Sequence, residues 1–294
     1  MLLSAKKWRK KSILIMTPLA GFGFVESYKR MREKFSSRCL HSGKNSLVVT
    51  SMLENEGKST VAANMAIGLA CISDRVVLLD ADIRKPAIHK VFEVDPAKEI
   101  HGVVEYLKGE VSLEKCLYKD PESGVYLLCA MNPSKESSEY AAGNEMAWLV
   151  KKLKGWADYL IIDTPPMELV ADAEALAALA DYSVLVIKPD NAPTKAVNDC
   201  IDRLDECQSK FLGCILNNIY TVPLFIEHMT GFPAAKFTRG RHQTFGGDYG
   251  YGNHGYGYGY GSSKRKVTRK KDGGYRDSSV SCDFFDKTVS GGED

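Results

Sequence analysis

Six short apolar runs constrain this chain more than any other feature of it: Leu47–Ser51, Val76–Asp80, Tyr126–Cys129, Tyr159–Asp163, Ser183–Ile187 and Leu212–Leu216. They are near-continuous rather than alternating. A strand with one wet face alternates apolar and polar residues, whereas a strand covered on both faces does not. Helix-like stretches separate them, clearest at Ser59–Cys71, Met146–Leu153, Ala171–Ala180 and Ala196–Asp205, and a charged helix is expected at Val25–Phe35. Strand and helix in alternation predict an α/β fold, a mostly parallel sheet flanked by helices and closed by right-handed crossovers.

The pattern stops after Gly240. Of the 25 glycines, 13 lie beyond residue 239, and residues 246–261 hold eight Gly and five Tyr with no aliphatic residue. Nothing there offsets the backbone entropy of ordering so many glycines, so a disordered Gly/Tyr-rich tail is expected. Basic runs at Lys264-Arg265-Lys266 and Arg269-Lys270-Lys271 follow. The expected organisation is a basic and apolar N-terminal segment over 1–24, a globular domain over 25–235 and the tail over 236–294.

Charge and cysteine usage narrow the function classes. A net charge of +2 gives no footprint for nucleic acid, which is not expected as a partner. Eight cysteines without a C-x-x-C pair argue against zinc ribbons, thioredoxin-like redox and cluster ligation. Cys71 and Cys214 sit in apolar stretches and read as buried thiols of a reducing cytosol. No apolar run reaches the roughly 18 residues of a spanning helix. Lys6-Lys7-Trp8-Arg9-Lys10-Lys11 precedes a short apolar stretch that Pro18, Gly21 and Gly23 interrupt, which favours contact with an anionic membrane or a membrane partner over secretion.

The sharpest local signal runs from Val48 to Thr60, where a buried strand enters a loop and Gly57-Lys58-Ser59 opens a helix. That is the context a phosphate-binding loop requires: backbone N–H groups wrap the phosphates, Lys58 neutralises their oxygens and the Ser59 hydroxyl ligands Mg²⁺. Met52 stands where G-x-x-x-x-G-K-S has its first glycine. Read as a loop residue, Lys58 is expected to be exposed. Two further strands end in acids, the one at Asp80-Ala81-Asp82 and the other at Asp163. Ligands of open α/β sheets bind outside the carboxyl ends of the strands. Acids delivered there can hold Mg²⁺ directly or through water, and one can take a proton from an attacking hydroxyl.

These motifs resemble the bacterial tyrosine kinases of capsule and exopolysaccharide synthesis, in the form whose cytoplasmic kinase is a separate chain. The resemblance covers about residues 24–220. Ser51–Thr60 matches the family loop Ser-x-x-x-x-Glu-Gly-Lys-Ser-Thr, Leu78–Pro86 an apolar run with Asp-x-Asp-x-Arg-x-Pro, and Ile161–Pro166 an apolar run with Asp-Thr-Pro-Pro. Val170-x-Asp172-Ala173 and Gly213-x-x-x-Asn217 follow the pattern too. The resemblance implies a P-loop NTPase of the partition-ATPase-like (SIMIBI) type that uses ATP and Mg²⁺. Glu56, Gly57, Lys58, Ser59 and Thr60 would bind the nucleotide, Asn217 would read its base, and Ser59, Asp80 and Asp163 would hold the metal. Asp82 would face the incoming tyrosine and help deprotonate it. Tyr249, Tyr251, Tyr256, Tyr258, Tyr260 and Tyr275 would be the acceptors, phosphorylated by a neighbour in a ring-like homo-oligomer.

The resemblance also implies a membrane adaptor that activates the kinase and recruits it from the cytoplasm to the inner face of the membrane, and a cognate tyrosine phosphatase. Three features depart from the family pattern. The interface helix, Glu-x-x-Arg-x-x-Arg in the family, has Glu26, Lys29 and Arg32, and lysine lacks the bidentate fork of arginine. A family segment before the third motif is reduced to Asn132-Pro133-Ser134, and residues 1–20 and 221–245 match no family element. The competing reading is a partition-type ATPase, an assembly switch without kinase activity. Its loop carries a second lysine five residues before the first, where this chain has Leu53.

Overall fold

A computed structural model describes residues 20–94, 100–168 and 171–218, all within the first of two compact units, Met1–Ile219. The basic run near the N-terminus, residues 221–245 and the tyrosine-rich tail lie outside the described residues. Seven strands form one sheet in the order β3-β4-β2-β5-β1-β6-β7. They are β1 (Ser46–Ser51), β2 (Val76–Asp80), β3 (Tyr118–Lys119), β4 (Tyr126–Leu128), β5 (Tyr159–Asp163), β6 (Tyr182–Ile187) and β7 (Lys210–Leu216). Every pairing is parallel except that of β3 with β4. The α/β sheet expected from the apolar runs is therefore present, with β3 added at one edge.

All residues of β1, β2 and β5 are buried, which is why their middles are apolar and polar residues stand only toward their ends, Ser46, Thr50 and Ser51 on β1, Asp80 on β2 and Asp163 on β5. Alternate residues feed two cores. Val48, Leu79, Leu160 and Ile162 face α7 (Asn144–Trp156), α8 (Asp172–Leu179) and α9 (Thr194–Asp205) through Leu149, Leu153, Leu176 and Leu204. Leu47, Val49, Leu78 and Ile161 face α1 (Phe22–Ser42) and α2 (Lys58–Ala70) through Phe35, Val61, Met65 and Leu69. Each such side chain contributes about 1.5–3 kcal/mol by leaving water. β7 lies at the sheet edge with no buried residue, and Cys214 on it is exposed. Cys71, at the end of α2, is half-buried. The expectation that both thiols are buried is thus corrected. None of the seven cysteines among the described residues forms a disulfide.

Helix α1 is longer than its charge pattern suggests, starting at Phe22 and ending at Gly43, whose φ of 66° and N–H to the Cys39 carbonyl (2.9 Å) cap it. Its buried Tyr28, Phe35 and Cys39 recur at helical spacing, and Phe35 packs between Tyr159 and Tyr182 at centroid distances of 6.1 and 5.9 Å. Lys29 pairs with Glu26 of the same helix at 2.9 Å, and the buried Arg32 Nε has no hydrogen-bond partner. Four short helices, α3 (Ile88–Val91), α4 (Val103–Leu107), α5 (Leu113–Cys116) and α6 (Ser137–Ala142), complete the described residues. No described helix is long and apolar enough to cross a membrane.

The connectivity fixes where a ligand can bind. From β1 the chain crosses through α2 to β2 on one side, and from β5 it crosses through α8 to β6 on the other. The helices of these two crossovers cover opposite faces, so the crevice opens at the carboxyl end of β1.

Candidate active site

Gly57 turns β1's outgoing loop into α2. It has φ 91° and ψ 21°, a left-handed conformation that glycine adopts without strain, and a Cβ there would run into the Asn217 amide. Asn217 Nδ2 donates to the Glu56 carbonyl at 2.8 Å. The Glu56 side chain is fully buried, one carboxylate oxygen accepting from the Leu53 N–H (2.9 Å) and the other from Lys188 N–H (3.2 Å) and Asn191 Nδ2 (3.3 Å). Glu56, expected among the nucleotide-binding residues, thus uses its carboxylate to shape the loop and tie it to the segment after β6.

Lys58 is not the exposed loop residue anticipated from sequence: it is 8% exposed. As the first residue of α2 it points across the strand ends, its Nζ 2.7 Å from Asp82 Oδ2, 3.5 Å from Asp163 Oδ1 and 3.3 Å from Ser59 Oγ. Burial acts to lower the Lys58 pKa, and the Asp163 and Asp82 carboxylates outweigh it, so the net shift is upward. The ammonium is held charged where a phosphate chain would lie along the loop.

Asp80 and Asp163 are register neighbours on β2 and β5, and neither side chain is exposed to solvent. Asp80 Oδ2 accepts from the N–H groups of Ala87 (3.1 Å) and Ile88 (3.0 Å). The other oxygen of Asp80 and Asp163 Oδ2 are buried with no hydrogen-bond partner. Burial, and next the facing Asp163, hold the Asp80 carboxyl well above the usual carboxylate range. Burial raises Asp163 as well, against the pull of Lys58 and a hydrogen bond from Ser59. Two orphaned carboxylate oxygens beside a serine hydroxyl suit a hard divalent cation. Among the described residues no group of three or more His, Cys, Asp or Glu is arranged to hold a metal. A Mg²⁺-like ion binds through one or two carboxylates and completes its shell with phosphate and water.

These groups border a cleft of about 800 Å³. Gly57, Lys58, Ser59, Thr60 and Asp82 line it, and Asp80, Asp163 and Asn217 lie beneath or beside its floor. Sequence reasoning missed Arg84, Lys85 and Lys135, which also line it. The first two stand inside a recognised motif. Lys135 comes from the segment after β4, which the Ser134 N–H pins to the Ile83 carbonyl at 3.0 Å. A second hollow, of about 730 Å³, lies at the opposite end of the sheet beside Asn45, Arg75 and Asp158 and holds none of this chemistry.

A left-handed glycine opening a helix, a buried lysine and acids at adjacent strand ends define a P-loop nucleotide-binding protein whose site takes phosphate and a metal. Residues 54–218 match the family described as AAA domain. The tyrosine-protein kinase YwqD of Bacillus subtilis is 32% identical over 65% of this chain and 80% of its own length. The succinoglycan biosynthesis transport protein ExoP of Rhizobium meliloti is 33% identical over 66% of this chain, which spans only 25% of that protein. Among solved structures, the kinase domain of the Escherichia coli tyrosine kinase ETK superposes with a TM-score of 0.65 at 27% identity, over 73% of this chain and 84% of that one. The septum site-determining protein MinD of Pyrococcus horikoshii, solved with Mg-ADP, matches at TM-score 0.52 and 22% identity, over 66% of this chain and 89% of its own, a likeness of fold alone. The chain belongs to the family of bacterial tyrosine-protein kinases, built on the P-loop fold that MinD shares.

Proposed function

We propose that this protein is an ATP-dependent protein-tyrosine autokinase that phosphorylates the tail tyrosines of a neighbouring copy and thereby regulates polysaccharide polymerisation and export. One observation carries the chemistry: Asp82 lines the cleft with one oxygen 2.7 Å from Lys58 Nζ, so acceptor-facing base and phosphate-facing cation share one contact. The Lys85 N–H, 3.0 Å from Asp82 Oδ1, holds that carboxylate in place. In the transfer the phenolic oxygen of tyrosine forms the new bond to the γ-phosphorus, the bond to the β,γ-bridging oxygen breaks, and the phenolic proton passes to Asp82. Mg²⁺, when bound, neutralises phosphate charge. Ser59, Asp80 and Asp163 would hold it, Gly57, Lys58 and Thr60 would cradle the phosphates, and Asn217 would meet the base end.

The family resemblance supports the proposed partners, and ExoP, named for succinoglycan biosynthesis transport, supports the link to a polysaccharide. A membrane adaptor activates the kinase and brings it from the cytoplasm to the inner face of the membrane. A ring-like homo-oligomer contacts itself through Glu26, Lys29 and Arg32 of α1, and a tyrosine phosphatase resets the tail. Incubation with radiolabelled ATP followed by phosphoamino-acid analysis tests the reading. Phosphotyrosine is expected; release of free phosphate alone would point instead to a partition-type assembly switch.

A further inference from the structure

The order of the strand ends assigns sides to the cleft. Read across the sheet from β7 to β4, the carboxyl ends carry Asn217, then the Gly57–Thr60 loop after β1, Asp163 on β5, Asp80 and Asp82 after β2, and finally Ser134 and Lys135 after β4. A nucleotide seated on the loop with its base toward Asn217 lies on the β7 side of the reacting acids, which leaves the β2 and β4 side to the acceptor. That side is cationic. Arg84, Lys85 and Lys135 line it, beyond anything needed to cradle the nucleotide at the loop.

The cations are positioned from behind. Arg84 donates from Nε to Asp172 Oδ2 at 3.2 Å and from Nη2 to the Ser138 hydroxyl, and Ser138 in turn donates to Asp172 Oδ1 at 2.7 Å. Asp172 is buried while 40% of the Arg84 side chain remains exposed, so the guanidinium is braced with an open face. Lys85 bonds Glu54 at the rim, and 68% of its side chain is exposed. Arg84 pairs with Asp172 and Lys85 with Glu54, while Lys135 is exposed and pairs with no acid among the described residues.

On the kinase reading, we infer that Arg84, Lys85 and Lys135 form an acceptor-side subsite for a phosphotyrosine already present on the incoming segment. The tail carries acceptors two residues apart, as Tyr249-Gly-Tyr251 and Tyr256-Gly-Tyr258-Gly-Tyr260. In extended chain, residues two apart point the same way about 6.5 Å from each other. Arg84 and Lys85 line the same cleft as Asp82, and the Lys85 N–H bonds Asp82 Oδ1 at 3.0 Å, so a phosphate on this rim would sit beside the tyrosine that faces Asp82. A guanidinium fork favours a phosphate dianion over a single carboxylate. Phosphorylation of the cluster is then self-accelerating.

The test supplies the full-length chain with Gly-Tyr-Gly-Tyr-Gly-Tyr-Gly peptides that carry no phosphate, one phosphotyrosine, or Glu in its place. The phosphorylated peptide should show a KM about tenfold lower than the plain one, and the Glu peptide a smaller gain. Arg84→Ala and Lys135→Glu should each pull the ratio of the two KM values toward unity. Fluorescence anisotropy of the labelled peptides without ATP reads the same preference with no transfer step. If plain peptide is never labelled, the kinase reading fails, while anisotropy still decides the subsite. Lys135 is exposed, so its variant folds even if loss of the Arg84–Asp172 pair is disruptive. Equal affinity for plain and phosphorylated peptide, or a preference that both variants retain, would overturn the subsite.

Discussion

At the residue scale the site trades stability for chemistry. Asp80 and Asp163 stand side by side, buried, each with one oxygen that bonds nothing. Because burial raises the folded-state pKa of Asp80 above its unfolded value, the folded chain binds the extra proton between the two, and stability falls as pH rises through that window. Asp80→Asn keeps an acceptor for the Ala87 and Ile88 N–H groups and removes the charge. Its melting temperature near pH ~7 should rise, by roughly 0.5–2 kcal/mol of stability, with the gain shrinking on acidification. Titration calorimetry should show Mg²⁺-dependent nucleotide binding weakened in the same variant. Lys58→Met should do more than abolish transfer: with Asp82 and Asp163 left without their cation, urea melts should show a loss of about 3 kcal/mol. The sequence displayed both motifs, since acids at strand ends and Gly-Lys-Ser are local patterns. It did not display the burial of Lys58, because that depends on strand ends brought together from residues 80–163.

Elements position these groups, and two of them make separable predictions. Glu56 joins the β1–α2 loop to the segment after β6 through Leu53, Lys188 and Asn191. Glu56→Ala leaves those donors unpaired at about 1–3 kcal/mol each, so nucleotide affinity and chemical stability should fall together, measured by calorimetry and denaturant. Phe35→Ala should loosen α1 against the sheet for about 3–5 kcal/mol while leaving the site residues in place, read as a lower melting temperature with nucleotide affinity retained. Strands β1, β2 and β5 were legible because burial on both faces leaves an unbroken apolar run in the middle of each. Helices α3 to α6 were not, since four to six residues hold too little of the 3.6 period to register. The β4 segment with Pro133 and Lys135 read as a departure from the family pattern, yet it forms one wall of the cleft.

At the scale of the whole molecule, the proposed autokinase would have one cleft serve a tail that carries six tyrosines. Each phosphate adds about −1.5 to −2, so six would shift a nearly neutral chain by roughly −9 to −12 and drive copies apart. Light scattering should therefore show assembly size falling as phosphate accumulates. The Gly/Tyr bias, plain in composition, points to the proposed acceptor tail only when read beside the P-loop, because low-complexity sequence alone has no site. The most direct measurement mixes an active chain truncated after Gly240 with full-length Lys58→Met chain, supplies radiolabelled ATP and maps the label. Phosphate on tail tyrosines of the Lys58→Met chain is the predicted result. An unlabelled Lys58→Met chain, under conditions where the full-length wild type labels itself, would contradict transfer between copies.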